Sequence, residues 1–342
     1  MFTTRNPILT GAFLYCFLLG TTSTGSARLV LGTTTPKTKM GVSFTTAHSS
    51  NALVNHEGTS SWWYSWGAAS NGFYGGGGGL CPLDQAVAAV DDARINGNMD
   101  FVPMFWGGVP TLPLDTDTHA NLEAATYLMG FNEPEFAVQA NLTALEAAQM
   151  WPELVDIATA YGLQIVGPCS ENGSHGREWY RQWTIECNAL YGKDCDYDFV
   201  CIHMYYQPYP CDSATVPSWA CIGQNTNAAM TSLDYWYTTY GNKSIWVTEF
   251  GCAPWGSTNG CDAAKQTALM EQLVPVLEAS PKVFRYAWYT TYNTEPDWVG
   301  SSLNEPVWQI TSGKGCPGRI WVSSFGTATW QVRTCVFIPK DR

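Results

Sequence analysis

The chain has 342 residues, 45% of them hydrophobic, and carries a net charge of −12 at neutral pH. That is enough apolar sequence for one large α/β domain or two ordinary ones, and too much for a disordered chain. The negative balance, with Lys and Arg scattered singly, argues against nucleic acid and anionic membrane surfaces as partners.

Residues 1–27 read as a secretory signal peptide. Arg5 gives a basic start, residues 8–20 are a short apolar region, and Gly25, Ser26 and Ala27 supply small residues for cleavage. The apolar region is shorter than the roughly twenty residues a membrane span needs, and no later stretch is long and apolar enough. The mature chain is therefore expected outside the cell, at or near a cell wall, with no membrane partner after cleavage. Of the 12 cysteines, Cys16 lies in the signal. Export makes disulfides the default for the rest. Closeness in sequence suggests Cys187–Cys195, Cys211–Cys221 and Cys252–Cys261. It leaves Cys81, Cys169, Cys201, Cys316 and Cys335 without assigned partners, and the odd total leaves a free thiol. Asn141, Asn172 and Asn242 begin N-x-S/T sequons.

After a short Thr-rich linker (28–38), residues 40–46 (MGVSFTT) and 62–66 (WWYSW) read as the first two strands. A glycine-rich loop follows; it lacks the Lys-Ser/Thr ending of a P-loop and reads as a spacer. Leu83, Ala86, Val87, Val90 and Ala93 have helical spacing. Residues 101–106 (FVPMFW) form the third strand, 118–125 a weak helix, and 127–131 (YLMGF) the fourth strand. Thr143 and Glu146 make a capping box for the next helix, which Pro152 is expected to kink or restart and Gly162 to end. Residues 163–168 form the fifth strand. Trp179, Trp183, Cys187 and Leu190 mark a helix stopped by Gly192. The sixth strand is 198–206 (DFVCIHMYY), and Met230, Leu233, Tyr237 and Tyr240 mark a helix ended by Gly241. The seventh strand is 244–250 (SIWVTEF), then a helix over 263–280 disturbed by Pro275, then the eighth strand, 283–290 (VFRYAWYT).

Eight strands alternating with helices over about 250 residues match a closed (β/α)₈ TIM barrel, here spanning 39–291, with 292–342 as a divergent extension. A doubly wound open sheet would want a Gly-rich nucleotide turn after the first strand, and none follows residue 46. In such a barrel active sites form at the carboxyl ends of the strands. Glu133 closes the fourth strand, beside Asn132 and stopped by Pro134; Glu249 closes the seventh. Two carboxylates flanking one bond are what glycoside hydrolysis requires. A lone glutamate past a strand is as often an ordinary surface residue, but two that each end a long apolar run weaken that explanation. Asn304-Glu305-Pro306 repeats the tripeptide without an apolar strand before it, and reads as a chance loop. No HExxH, paired CxxC, G-x-S-x-G or P-loop pattern is present. The five histidines are scattered, so no metal and no cofactor is implied.

The segments GFNEP (130–134), WVTEF (246–250), FVPMFWG (101–107), HMYY (203–206), RYAWY (285–289) and MGVSF (40–44) resemble glycoside hydrolase family 128. These are clan A barrel enzymes that cleave β-1,3-glucan. The resemblance covers residues 39–291 and fades in the tail, where the family's final helix is not matched. It implies that Glu133 is the acid/base and Glu249 the nucleophile of a retaining mechanism. It also implies that Asn132 binds the 2-hydroxyl of the sugar, that Tyr205 hydrogen-bonds the nucleophile, and that Trp288 is a sugar platform. Trp106, His203 and Trp66 are further pocket residues; His203 reads equally as a core histidine. The expected protein is a secreted, monomeric, endo-acting β-1,3-glucanase. A non-catalytic glucan-binding wall protein on the same barrel, and a clan A glycosidase with another β-linked substrate, are the rivals.

Overall fold

The computed structural model describes residues 39–43, 60–68, 99–206, 223–253, 261 and 263–290. Eight parallel strands run β1 (Met40–Ser43), β2 (Trp62–Tyr64), β3 (Asp100–Phe101), β4 (Tyr127–Met129), β5 (Gln164–Glu171), β6 (Phe199–Tyr206), β7 (Ile245–Cys252) and β8 (Val283–Trp288). Their order is β3-β2-β1-β8-β7-β6-β5-β4. The segment after β3 joins β4: Phe105 N–H donates to Met129 O at 3.0 Å and Met129 N–H to Pro103 O at 2.9 Å. The architecture is thus the expected (β/α)₈ barrel, and β1 pairs with β8 from Met40↔Tyr286 to Val42↔Trp288. β7 is buried at every position and β6 at all but one. Strands covered on both faces need apolar runs rather than alternation, which is why these segments stood out in the sequence.

The foot of the barrel is plugged by aromatic rings around one cation. Arg285 lies 4.8 Å from the Tyr127 ring centroid and 5.1 Å from that of Trp246. Its guanidinium also bonds Asp100 at 2.6 Å, so the charge is paired rather than stranded. Above this layer Cys169 and Cys201, in register on β5 and β6, form a disulfide, a pairing that spacing alone left open. Cys187–Cys195 and Cys252–Cys261 form as their spacing suggested. Cys211 and Cys221 lie outside the described residues, as do Cys81, Cys316, Cys335, the helix expected over 83–94, the tail and Asn304–Pro306.

The described helices are α1 (Thr116–Ala124), α2 (Ala144–Tyr161), α3 (Ser174–Tyr191), α4 (Gly223–Thr239) and α5 (Ala263–Ala279). The Thr143/Glu146 capping box is formed. Gly162, Gly192 and Gly241 take φ of 68°, 69° and 71°, the left-handed turn that ends a helix and suits glycine. α2 runs through Pro152 and does not restart there. The carbonyl the proline leaves without a partner, that of Ala148, accepts the Tyr191 hydroxyl at 3.0 Å. α5 likewise runs through Pro275. The buried stripe of α4 is Ala229, Leu233 and Trp236, continued by Tyr240 just past its end, which corrects the expected one: Met230 is 45% exposed. Leu190 of α3 also faces out.

Candidate active site

The carboxyl ends of β4 to β7 converge. Asn132 bridges to Cys169 of β5, and the register places Glu171 opposite His203 and His203 opposite Glu249. A bulge sets the last pairing: Val247 faces Ile202 and Glu249 faces His203, leaving Thr248 as an extra residue in β7. Bulges re-aim side chains in this way. Glu133 is held at φ 39° and Trp66 at φ 56°. Both are left-handed conformations that side chains with a Cβ adopt only when the surroundings impose them.

Glu249 is buried and surrounded by donors. Its Oε1 accepts Trp66 Nε1–H at 2.8 Å and the Tyr64 hydroxyl at 3.2 Å. Its Oε2 accepts the Tyr205 hydroxyl and lies 3.4 Å from His203 Nδ1. Burial raises the Glu249 carboxyl above the ordinary carboxylate range and the charge on Glu133 adds to that; His203, Tyr205 and Trp66 pull it back. His203 Nδ1 also sits 2.8 Å from Glu133 Oε1, so this histidine joins the two glutamates. Burial alone would strip its proton, but Glu249 and Glu133 outweigh that and push it up to about 9. Its Nε2 is buried without a hydrogen-bond partner among the described residues, unlike a satisfied core histidine. One oxygen of Glu133 and one of Glu249 lie within 4.8 Å of each other.

Asn132 is buried, its N–H donating to Trp106 O at 2.7 Å and its Nδ2 to Gln139 Oε1 at 3.2 Å. Its Oδ1 has no partner among the described residues. Trp66 and Trp106 are half-buried. Trp288 is 2% exposed and meets Phe250, also buried, edge-on at 5.0 Å. Of the residues singled out in the sequence, Glu133, Glu249, His203, Tyr205 and Trp66 form one hydrogen-bonded group. Asn132 and Trp106 adjoin it, and Trp288 packs against Phe250 in the core.

The profile of the family described as glycosyl hydrolase catalytic core matches residues 41–311. An endo-β-1,3-glucanase of glycoside hydrolase family 128, subgroup II, from Pseudomonas viridiflava is 28% identical. It superposes with a TM-score of 0.57 over 79% of this chain and 92% of its own. The chain is a family 128 glycoside hydrolase. A second subgroup II endo-β-1,3-glucanase, from Sorangium cellulosum, gives 26% identity and a TM-score of 0.53 over 78% and 91% of the two chains. Alkali-sensitive linkage protein 1 of Schizosaccharomyces pombe is 24% identical over 273 residues, 77% of this chain. The enzyme spans about two fifths of that relative's length. The family profile reaches past residue 291, where the motif likeness fades.

Three residues of this family 128 site were not singled out in the sequence. Tyr64 reads there as one more aromatic in WWYSW. Tyr289 lies edge-on to both Trp66 and Tyr205, 5.8 Å from each. Glu135 follows the conspicuous Asn-Glu-Pro, and its carboxyl is buried against β5. Glu133, His203 and Glu249 are also close enough together to ligate an ion. Among the described residues no helix is long and apolar enough to cross a membrane.

Proposed function

We propose that this family 128 hydrolase is a retaining, endo-acting β-1,3-glucanase, exported by the signal at 1–27, with Glu133 as acid/base and Glu249 as nucleophile. The observation that carries this reading is that one oxygen of Glu133 and one of Glu249 lie within 4.8 Å of each other, with His203 Nδ1 2.8 Å from Glu133 and 3.4 Å from Glu249. A retaining pair needs roughly 5–5.5 Å between carboxyl groups, whereas an inverting pair leaves about 6.5–9.5 Å for water. Glu249 attacks the anomeric carbon as the bond to the leaving oxygen breaks and that oxygen takes a proton. The proton comes from the Glu133–His203 pair, which shares it either as carboxylate and imidazolium or as carboxylic acid and imidazole. The second form is the general acid. Glu133 then takes a proton from water, whose oxygen displaces Glu249 from the same carbon.

Asn132 would face the 2-hydroxyl of the sugar with its unpartnered Oδ1. Trp66 and Trp106 offer half-buried aromatic walls. The β-1,3-glucan substrate and the endo mode rest on likeness to the two subgroup II endo-β-1,3-glucanases. Product analysis on laminarin and curdlan tests the whole reading. Wild type should release a ladder of oligosaccharides, and Glu133→Gln and Glu249→Gln should each lose roughly a thousandfold or more in kcat. Undiminished cleavage by Glu249→Gln would refute the nucleophile assignment. Glucose as the sole early product would make the action exo. Curdlan binding without new reducing ends would make the chain a binding protein.

A further inference from the structure

One buried ionisable group has no part in these steps. Glu135, two residues past Glu133, accepts the main-chain N–H of Glu171 on its Oε1 at 2.5 Å. Its Oε2 is buried and unpartnered among the described residues. Glu171 passes the connection on: its carboxylate accepts Gly173 N–H at 2.6 Å and Gly176 N–H at 2.9 Å. Gly173 has no side chain with which to cap α3, so Glu171 does the capping. A Cβ on Gly176 would stand 2.0 Å from Glu171 O, so this close approach requires glycine. Asn172 N–H then donates to His203 O at 3.0 Å. Glu135 is therefore the first link of a chain from the turn after β4, across the end of β5, to the β6 residue that holds Glu133.

The same turn has a second tie. Glu133 N–H donates to Cys169 O at 2.7 Å. Between the two ties to β5 lies the left-handed Glu133, which needs its surroundings to hold it. We propose that Glu135 is a positioning residue for the acid/base, its carboxyl hooked on the Glu171 amide so that Glu133 stays beside His203. This rests on the reading of Glu133 as the acid/base. Burial, helped by the charge on Glu133, pushes the Glu135 carboxyl up to about 7 against the pull of the Glu171 amide. At mildly acidic pH it therefore holds the turn as a neutral group, without competing with Glu133 for His203.

A defect in acid catalysis shows on substrates with poor leaving groups and is nearly silent on those with good ones, whereas general loosening of the barrel lowers both. The test compares wild type, Glu135→Ala and Glu135→Gln on laminarin and on a dinitrophenyl β-laminaribioside. Glu135→Ala should lose about 10- to 100-fold in kcat/KM on laminarin and less than about threefold on the activated glycoside. Glu135→Gln keeps an oxygen for the Glu171 amide and should recover laminarin activity to within a few-fold. Equal losses on both substrates, or no loss on laminarin, would overturn the proposal. If Glu135→Ala fails to fold, Glu135→Gln decides: a laminarin loss as large as that of Glu133→Gln overturns it, and near wild-type activity supports it. Glu133→Ala with azide separates the premise from the proposal. A β-glycosyl azide product keeps Glu133 as acid/base whatever Glu135 does, and its absence removes the premise.

Discussion

Removing the Tyr205 hydroxyl, with Tyr205→Phe, isolates one donor to Glu249, the proposed nucleophile, without changing the ring. Glu249 is buried, which favours its neutral form, and the Tyr205 bond is one of the contacts that oppose this. A hydrogen bond to a charged group contributes about 1.5–3 kcal/mol. At 1.36 kcal/mol per unit, its loss raises the Glu249 carboxyl by about one to two pH units. The acidic limb of the kcat/KM profile on laminarin should therefore move up by that amount. Activity at the pH of the wild-type limb should fall about 10- to 100-fold, while the plateau at higher pH recovers to within a few-fold. Trp66 and Tyr64 still bond the other oxygen, so the site keeps its shape. A uniform loss at every pH, with the limb unmoved, would refute the reasoning and make Tyr205 a packing residue.

Other outcomes follow from the same geometry. Gln139→Ala frees the Asn132 amide to rotate and should cost about tenfold in kcat/KM on laminaribiosides but little on their 2-deoxy analogues; equal losses would separate Gln139 from the 2-hydroxyl. A Cβ at Gly130 would lie 2.8 Å from the Trp151 ring, so Gly130→Ala should destabilise by about 1–3 kcal/mol in urea melts. The proton on His203 is held more tightly folded than unfolded. It contributes stability below about 6.5 that is lost as pH rises through about 9. His203→Gln should flatten the fall in melting temperature across that window, and an unchanged slope would contradict the charge assignment.

The barrel was legible because parallel strands covered on both faces must be apolar along their length, as 199–206 and 245–252 are. The glutamates were legible because Glu133 ends an apolar run and Glu249 interrupts one near its carboxyl end. What escaped depends on contacts distant in sequence. Pro152 is tolerated because the Tyr191 hydroxyl, 43 residues from Ala148, bonds the Ala148 carbonyl, which no local rule supplies. Glu135 looks like a surface charge in an acidic turn until the Glu171 amide, 36 residues on, closes over it. Glu171 itself passes for an ordinary loop carboxylate, yet it caps α3. The α4 stripe was misplaced because Met230 and Tyr237 fit the helical period as well as Ala229 and Trp236 do, and packing chose the latter. His203 was ambiguous because a lone histidine on an apolar strand gives no sign of what faces it. The register with Glu249 decides that.

The central claim is a covalent intermediate on Glu249. Incubating the enzyme with a 2-deoxy-2-fluoro-laminaribioside bearing a good leaving group slows the second step and traps the glycosyl-enzyme. Tryptic digestion and mass spectrometry then locate the label. The account predicts one sugar adduct on the peptide running from residue 244 to 265, lost in Glu249→Gln and retained in Glu133→Gln. A label on Glu133, or turnover of the activated substrate with inversion and no label, would contradict it.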